Sequence, residues 1–151
     1  MLVIGSDHGG LELKQAVQAA LASRCMAFDD YGTSNSDSVD YPDFAEKVAG
    51  AISRGDAELG ILICGTGIGM SITANKFPGV RAALATDEFM AQMAKEHNNA
   101  NILVLGGRVL TVELAVKMVN IWLDTAYEGG RHQLRLDKIA KVEAAVLAGK
   151  S

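Results

Sequence analysis

A chain of 151 residues with 49% hydrophobic and 21% charged residues has the length and composition of one globular domain with its own core. The net charge of -4 gives no support to nucleic acid or an anionic membrane as the main partner, and no apolar run reaches the roughly 20 residues that a membrane helix needs. The start MLVIGSD lacks the features of a signal peptide, and Cys25 and Cys64 have neither zinc-type spacing nor a disulfide framework. We therefore expect a single domain over residues 1–151 in a reducing cytoplasm, with Cys25 as a buried small residue.

The apolar periodicity along the chain predicts strands that alternate with helices. Five short apolar runs predict the strands, at residues 2–4, 27–29, 59–64, 80–85 and 102–105. Apolar residues at four-residue spacing predict the helices that follow the first two strands, namely Leu13, Val17 and Leu21, then Phe44, Val48 and Ile52. Tyr41-Pro42-Asp43 is typical of a helix start, and Asp87 and Thr111 are the predicted N-caps of two later helices.

The C-terminal part of the chain differs from the rest. After the glycine-rich, basic segment YEGGRHQ, a last helix is predicted from Leu136 onward, marked by Ile139, Val142 and Val146. No strand follows it, so it either packs on its own sheet or reaches across to a partner subunit. Strands that alternate with helices imply parallel crossovers. The predicted fold is a three-layer α/β/α sandwich around a Rossmann-like, five-stranded parallel sheet.

The segment ILICGTGIGM, residues 61–70, carries the clearest chemical signal. Its apolar strand ends in Cys64 and passes into a loop in which Gly65, Gly67 and Gly69 let backbone N–H groups approach a ligand. A helix that starts within this loop adds its positive end, and a thiol beside a helix N-terminus can have a lowered pKa and act as a base or nucleophile. Met70 takes the place of the third glycine of a dinucleotide fingerprint, and no Gly-Lys-Ser/Thr follows as in a P-loop. The loop is thus predicted to hold a small phosphorylated or enolisable ligand.

In open α/β sheets, ligands bind where the carboxyl ends of the strands meet. The residues that we assign to this edge are Asp7, His8, Cys64, Thr66, His97, Asn98 and Arg108. Arg131 and Arg135 add positive charge in the tail. Each has a plain structural alternative, such as a helix cap for Asp7 or His97, a small core residue for Cys64 and a solvated basic face for the tail arginines.

Six segments in order along almost the whole chain resemble the ribose-5-phosphate isomerase B family: SDHGG, DYPD, ILICGTGIGMSITANK, HNNAN, GGRV and YEGGRHQLR. The wider family also holds the galactose-6-phosphate isomerase subunits and enzymes for allose 6-phosphate or tetrose phosphates. The resemblance implies an aldose–ketose isomerase that needs no metal or organic cofactor. It also implies a homodimer or a tetramer, in which each site lies between subunits and the neighbour supplies the tail arginines.

The resemblance also implies a role for each site residue. Cys64 would move the proton between the two carbons, and His97 would open the furanose ring, assisted by Asp7 or Thr66. The backbone of Gly65, Thr66, Gly67, Ile68 and Gly69 would donate to the enediolate, and Asn98 would bind sugar hydroxyls. The residues that would bind the phosphate are His8, Arg108, Arg131 and Arg135.

Two other functions stay open at this point. An isomerase of this family could act on a four- or six-carbon sugar phosphate, such as erythrose 4-phosphate, allose 6-phosphate or galactose 6-phosphate, because Cys64 does not fix the chain length. A non-catalytic sugar-phosphate sensor on the same fold is the second alternative. The joint presence of Cys64, Thr66 and His97 disfavours it, because a sensor needs the arginines and no base.

Overall fold

A computed structural model of the chain describes residues 1–149 as one α/β unit built on a parallel sheet. The strands are β1 (Leu2–Ser6), β2 (Phe28–Asp30), β3 (Leu59–Cys64), β4 (Ala82–Leu84) and β5 (Ile102–Gly106). Their order in the sheet is β2-β1-β3-β5-β4, and every neighbouring pair is parallel. The helices are α1 (Leu11–Ser23), α2 (Tyr41–Arg54), α3 (Ile68–Ala74), α4 (Glu88–Glu96), α5 (Val112–Asp124) and α6 (Arg131–Leu147).

Helices cover both faces of the sheet, which confirms the predicted three-layer sandwich. One core lies between the sheet and α1, α4 and α5, with Trp122 fully buried in it. The other core lies under α2 and α3 and includes Val48 and Met70. The central strands read as continuous apolar runs because both of their faces are covered. Among residues 1–149, none of the helices has the length and apolar content that a membrane span requires.

The strand register fixes which loops meet at each edge of the sheet. β3 and β5 pair from Gly60 opposite Ile102 to Cys64 opposite Gly106. Because all strands are parallel, β1, β3 and β5 end at one edge, which we call the carboxyl edge, and begin at the other, which we call the amino edge. A predicted site residue can therefore be placed at one edge or the other from its position relative to its strand.

Three local predictions from the sequence are wrong. Cys25 is exposed, because it occupies the surface turn after α1 with a φ of 54°. β4 covers Ala82–Leu84 and is shorter than the predicted 80–85. The last helix begins at Arg131 and not at Leu136, since its first turn is polar and gives no apolar period. Arg131 and Arg135 thus lie on a helix instead of in a loop.

The last helix, α6, has little contact with the rest of its own chain. Within it, His132 is the buried residue. Farther along, the Glu143 carboxylate accepts a hydrogen bond from the Gly79 N–H at 3.0 Å. Leu136 is half-buried, whereas the other five large apolar side chains are more than half exposed: Leu134, Ile139, Val142, Val146 and Leu147. The sequence left open whether this helix packs on its own sheet, and the structure shows that its apolar side is uncovered in the single chain.

Candidate active site

Cys64 ends β3 at the carboxyl edge, and the glycine loop folds back over its sulfur. The Cys64 side chain is buried, and its Sγ accepts a hydrogen bond from the Gly67 N–H at 3.1 Å. Gly67 has a φ of +81°, and a Cβ there would lie 2.5 Å from Leu84 Cδ1. Glycine is therefore required at this turn. The helix predicted to begin inside the loop is α3, which starts at Ile68 with Gly67 as its N-cap.

The same loop leaves backbone donors for a ligand. The Gly67 N–H is engaged with Cys64 Sγ, and the Ile68 N–H donates to Thr66 Oγ1 at 3.3 Å. The N–H groups of Gly65, Thr66 and Gly69 donate to no acceptor within residues 1–149. Unengaged N–H groups beside a buried thiol form the kind of site that stabilises an oxyanion. Of the five N–H groups in the predicted cradle, three thus have no acceptor within residues 1–149.

The loops after β1 and β5 close around Cys64. The Arg108 N–H donates to the Gly65 carbonyl at 2.9 Å, and a Cβ on Gly9 would lie 3.2 Å from the Gly65 nitrogen. Asp7 is 7% exposed, and its carboxylate accepts a hydrogen bond from the Gly10 N–H at 3.1 Å. The alternative assignment of Asp7 as a cap is therefore correct, and the same cap holds its carboxylate at the carboxyl edge. Asp7, Cys64 and Arg108 are brought together as predicted.

A cavity beside this loop contains two predicted phosphate ligands. It has a volume of about 440 Å³ and is lined by His8, Gly9 and Arg108, with Glu12 and Thr111 on its wall. The Val39 N–H donates to His8 Nδ1 at 3.2 Å, so the neutral ring carries its proton on Nε2 and can donate from there. A second groove, of about 590 Å³, lies along α2 and contains none of the predicted site residues. We call the residues Asp7, His8, 64–69 and Arg108 the cysteine half-site.

His97 and Asn98 do not lie with this group, so their predicted placement at the carboxyl edge is wrong for a single chain. They follow α4 and precede β5, and the Asn101 carbonyl accepts a hydrogen bond from the Gly60 N–H at 2.8 Å. That contact is at the amino edge. The four steps along β3 from Gly60 to Cys64, at about 3.3 Å each, separate the two edges by about 13 Å. One copy of the chain therefore cannot bring Cys64 and His97 to the same small substrate.

His97 belongs instead to a cluster at the amino edge. Its ring stacks on that of His132, with the centroids 4.0 Å apart and the planes at 14°. His132 is 5% exposed, and its Nε2 lies 3.2 Å from a Glu128 carboxylate oxygen, which is also 3.9 Å from His97 Nε2. Arg131 and Arg135 are exposed at i and i+4 in the first turns of α6, on one side of the helix. We call His97, Asn98, Glu128, Arg131, His132 and Arg135 the histidine half-site.

The donor atoms of His97, Glu128 and His132 all lie within 4.8 Å of one another. The lone pair of a ring nitrogen lies in the plane of its ring, so two nearly parallel rings stacked 4.0 Å apart do not both direct a lone pair at one tetrahedral centre. The cluster suits a carboxylate-linked histidine pair better than a metal centre. Sequence reasoning missed Glu128 and His132 as site residues, and the only available signal was their position in the YEGGRHQ segment.

Tyr41 is a third residue whose position the sequence did not reveal. It is the first residue of α2 and 40% exposed, and a Cβ on Gly69 would overlap its ring and lie 2.8 Å from its hydroxyl. The phenol therefore lies directly against the glycine loop. The sequence predicted Tyr41 only as part of a helix start.

The comparisons agree on one family. The sequence model described as Ribose/Galactose Isomerase matches residues 2–139. The chain is 45% identical over 142 residues to ribose-5-phosphate isomerase B of Escherichia coli (strain K12), covering 94% of this chain and 95% of that protein. Its fold matches the Clostridium thermocellum ribose-5-phosphate isomerase B with a TM-score of 0.94 and 50% identity, over 96% and 98% of the two chains. It also matches the Mycoplasma genitalium enzyme solved with bound ribulose-5-phosphate, with a TM-score of 0.91 and 44% identity over 95% of each chain.

Proposed function

This chain belongs to the ribose/galactose isomerase family, and on that premise we propose that it interconverts D-ribose 5-phosphate and D-ribulose 5-phosphate. The observation that carries the proposal is the buried Cys64 thiol among the unengaged N–H groups of the glycine loop. The Mycoplasma genitalium relative, 44% identical, holds ribulose-5-phosphate in its structure, which supports a pentose phosphate as the substrate here.

The geometry of the cysteine half-site suits proton transfer next to a carbonyl. As a thiolate, Cys64 takes the proton from C2 of the open-chain aldose, and the electron pair moves onto the C1 oxygen to give an enediolate. The N–H groups of Gly65, Thr66 and Gly69 are placed to donate to that oxygen, and each such donor can contribute about 3–4 kcal/mol. A proton then passes from the C2 hydroxyl to the C1 oxygen, and the same thiol returns its proton to C1 as the C2 carbonyl forms, which gives the ketose. The atoms balance without a metal or an organic cofactor.

We propose that two copies of the chain build each site. Ring opening by His97 and proton transfer by Cys64 must act on one sugar, yet the two residues lie at opposite edges of the sheet in a single copy. A homodimer that sets the cysteine half-site of one copy against the histidine half-site of the other removes this conflict. His8 and Arg108 would then share the phosphate with Arg131 and Arg135 of the other copy, and arginines bind phosphate through two parallel hydrogen bonds.

Exposed apolar side chains lie beside both half-sites, and this supports the dimer. Ile68 and Val109 flank the glycine loop and Arg108, with relative exposures of 54% and 57%. On α6, Ile139 and Val142 continue from the arginines and are 53% and 65% exposed. Exposed apolar groups beside polar site residues are typical of a surface that associates. Packing of α6 on the partner copy would cover the second set.

We further propose a reducing cytoplasm as the compartment. Cys25 and Cys64 are both free thiols, and Cys25 is exposed. Exposed thiols persist unpaired where glutathione and thioredoxin keep them reduced.

Initial rates with aldose phosphates of four, five and six carbons test the substrate. We expect the highest kcat/KM with ribose 5-phosphate. A higher value with erythrose 4-phosphate, allose 6-phosphate or galactose 6-phosphate would contradict the assigned chain length and leave the isomerase chemistry standing. Saturable binding of sugar phosphates with no turnover of any of them would instead identify a sensor.

A further inference from the structure

Arg81 binds the turn that carries His97 and Asn98, although it is not among the predicted site residues. It lies just before β4 at the amino edge. Its Nε donates to the carbonyl oxygens of Asn98 and Asn99, both at 3.1 Å, and its Nη2 donates to the Asn99 carbonyl at 2.9 Å. The backbone of Arg81 holds the far end of the same turn, because its N–H donates to Asn101 Oδ1 at 2.8 Å and its carbonyl accepts from the Asn101 N–H at 3.1 Å.

The backbone conformation of this turn requires hydrogen bonds from outside the turn to stabilise it. Asn99 has a φ of +42°, a left-handed conformation that asparagine tolerates better than most residues. It lies three residues after the end of α4, and the Ala100 N–H donates back to the Ala94 carbonyl at 2.8 Å. Backbone carbonyls outside a helix or strand must find hydrogen-bond donors elsewhere. Arg81 supplies these donors for the carbonyls of Asn98 and Asn99 in the turn after α4.

We propose that Arg81 is a positioning residue for the histidine half-site, holding His97 and Asn98 in place through the carbonyl oxygens of residues 98 and 99. This inference rests on the proposed role of His97 in ring opening. A planar guanidinium can reach two carbonyls at once, whereas an ammonium group cannot reproduce that fork. Lys95 lies close by, and burial together with the charge of Arg81 lowers the pKa of Lys95. The three hydrogen bonds of Arg81 therefore offset the electrostatic repulsion between its guanidinium and the Lys95 ammonium.

Two reactions of the same enzyme distinguish a positioning role of Arg81 from a general structural role. Turnover of ribose 5-phosphate requires ring opening. Exchange of solvent deuterium into C1 of ribulose 5-phosphate does not, because the phosphate on O5 keeps that ketose open-chain. A shift of His97 by about 1 Å can cost about 100-fold in rate. We therefore expect Arg81→Ala to lower kcat for ribose 5-phosphate by about 10- to 100-fold, while exchange at saturating ribulose 5-phosphate stays within about twofold.

Arg81→Lys is a second variant that keeps the positive charge and stays informative if Arg81→Ala does not fold. It should lower kcat for ribose 5-phosphate by about 10-fold and leave exchange into ribulose 5-phosphate unchanged. Arg54→Ala is the matched control, because Arg54 is an exposed arginine paired with Asp56. In this variant, turnover of ribose 5-phosphate and exchange into ribulose 5-phosphate should both stay at the wild-type rates. Equal losses in both reactions, or no loss of turnover in Arg81→Lys, would overturn the positioning role. His97→Asn is the separate check: if it also fails to split the two reactions, the proposed ring-opening role of His97 is wrong, whatever Arg81 does.

Discussion

Replacing Cys64 with serine removes the predicted base and preserves the surroundings of its side chain. Sγ is 3.1 Å from the Gly67 nitrogen, and a serine Oγ can accept the same hydrogen bond. Cys64 is 5% exposed and ends β3, whose backbone pairing does not depend on the side chain, so we expect the free energy of unfolding to change by only about 1 kcal/mol. A hydroxyl is far less acidic than a thiol and makes a poor base at neutral pH. Loss of a general base lowers a rate by about 10²–10⁴-fold, which corresponds to about 3–5 kcal/mol in the barrier.

The assay for this variant combines rate with binding. Turnover of ribose 5-phosphate and solvent exchange into ribulose 5-phosphate should both fall by the same large factor, because both need the Cys64 proton transfer. Ribulose 5-phosphate should still bind, with a Kd close to that of wild type by calorimetry. Retention of more than about a tenth of wild-type turnover would refute the assignment of Cys64 as the base.

Three further substitutions test other parts of the account. His97→Asn should lower turnover of cyclic ribose 5-phosphate far more than exchange into open-chain ribulose 5-phosphate, and equal losses would give His97 another role. Gly67→Ala should destabilise the fold by about 1–3 kcal/mol in urea unfolding, because of the positive φ and the overlap with Leu84, and an unchanged midpoint would contradict this. Asp30→Asn should cost about 2 kcal/mol, since it leaves the buried Lys14 ammonium without its carboxylate, and a loss below about 0.5 kcal/mol would mean that the pair contributes little.

The Asp30→Asn variant also tests how the free energy of unfolding depends on pH. Burial raises the pKa of Asp30, but hydrogen bonds from Lys14, the Gly32 N–H and Gln18 outweigh it and hold the pKa below its usual value. A carboxylate with a lowered pKa contributes stability above its unfolded pKa of about 3.9 and loses it as the pH falls through the folded value. The wild-type free energy of unfolding should therefore fall more steeply below pH 4 than that of Asp30→Asn. Parallel curves would contradict the pKa direction.

Much of the fold could be predicted because the signals are local. The apolar runs of β3 and β5 and the caps Asp87 and Thr111 each act within a few residues, and both caps accept the expected N–H three residues on. The start of α6 was missed because Gly129 and Gly130 set it through their positive φ angles, and the polar turn after them has no apolar period. The exposure of Cys25 was missed because residue type alone does not place a surface turn.

The candidate site was predicted in composition but not in arrangement. Cys64, Asp7 and Arg108 follow the ends of three strands, so the rule for parallel sheets brought them together correctly. His97 precedes its strand, and the same rule places it at the opposite edge. The stacking of His97 on His132 and the hold of Arg81 on residues 98 and 99 depend on contacts between distant segments, which no spacing along the chain encodes.

The most direct test of the central claim is to mix two inactive variants, Cys64→Ser and His97→Asn. If each site takes Cys64 from one copy and His97 from the other, a mixed dimer has one site with both defects and one with neither. Half of the dimers in an equal mixture are mixed, so about a quarter of the wild-type ribose 5-phosphate activity should return. Differently tagged copies establish that subunits exchange. Activity that stays at the level of the separate variants after proven exchange would show that Cys64 and His97 do not meet across two chains.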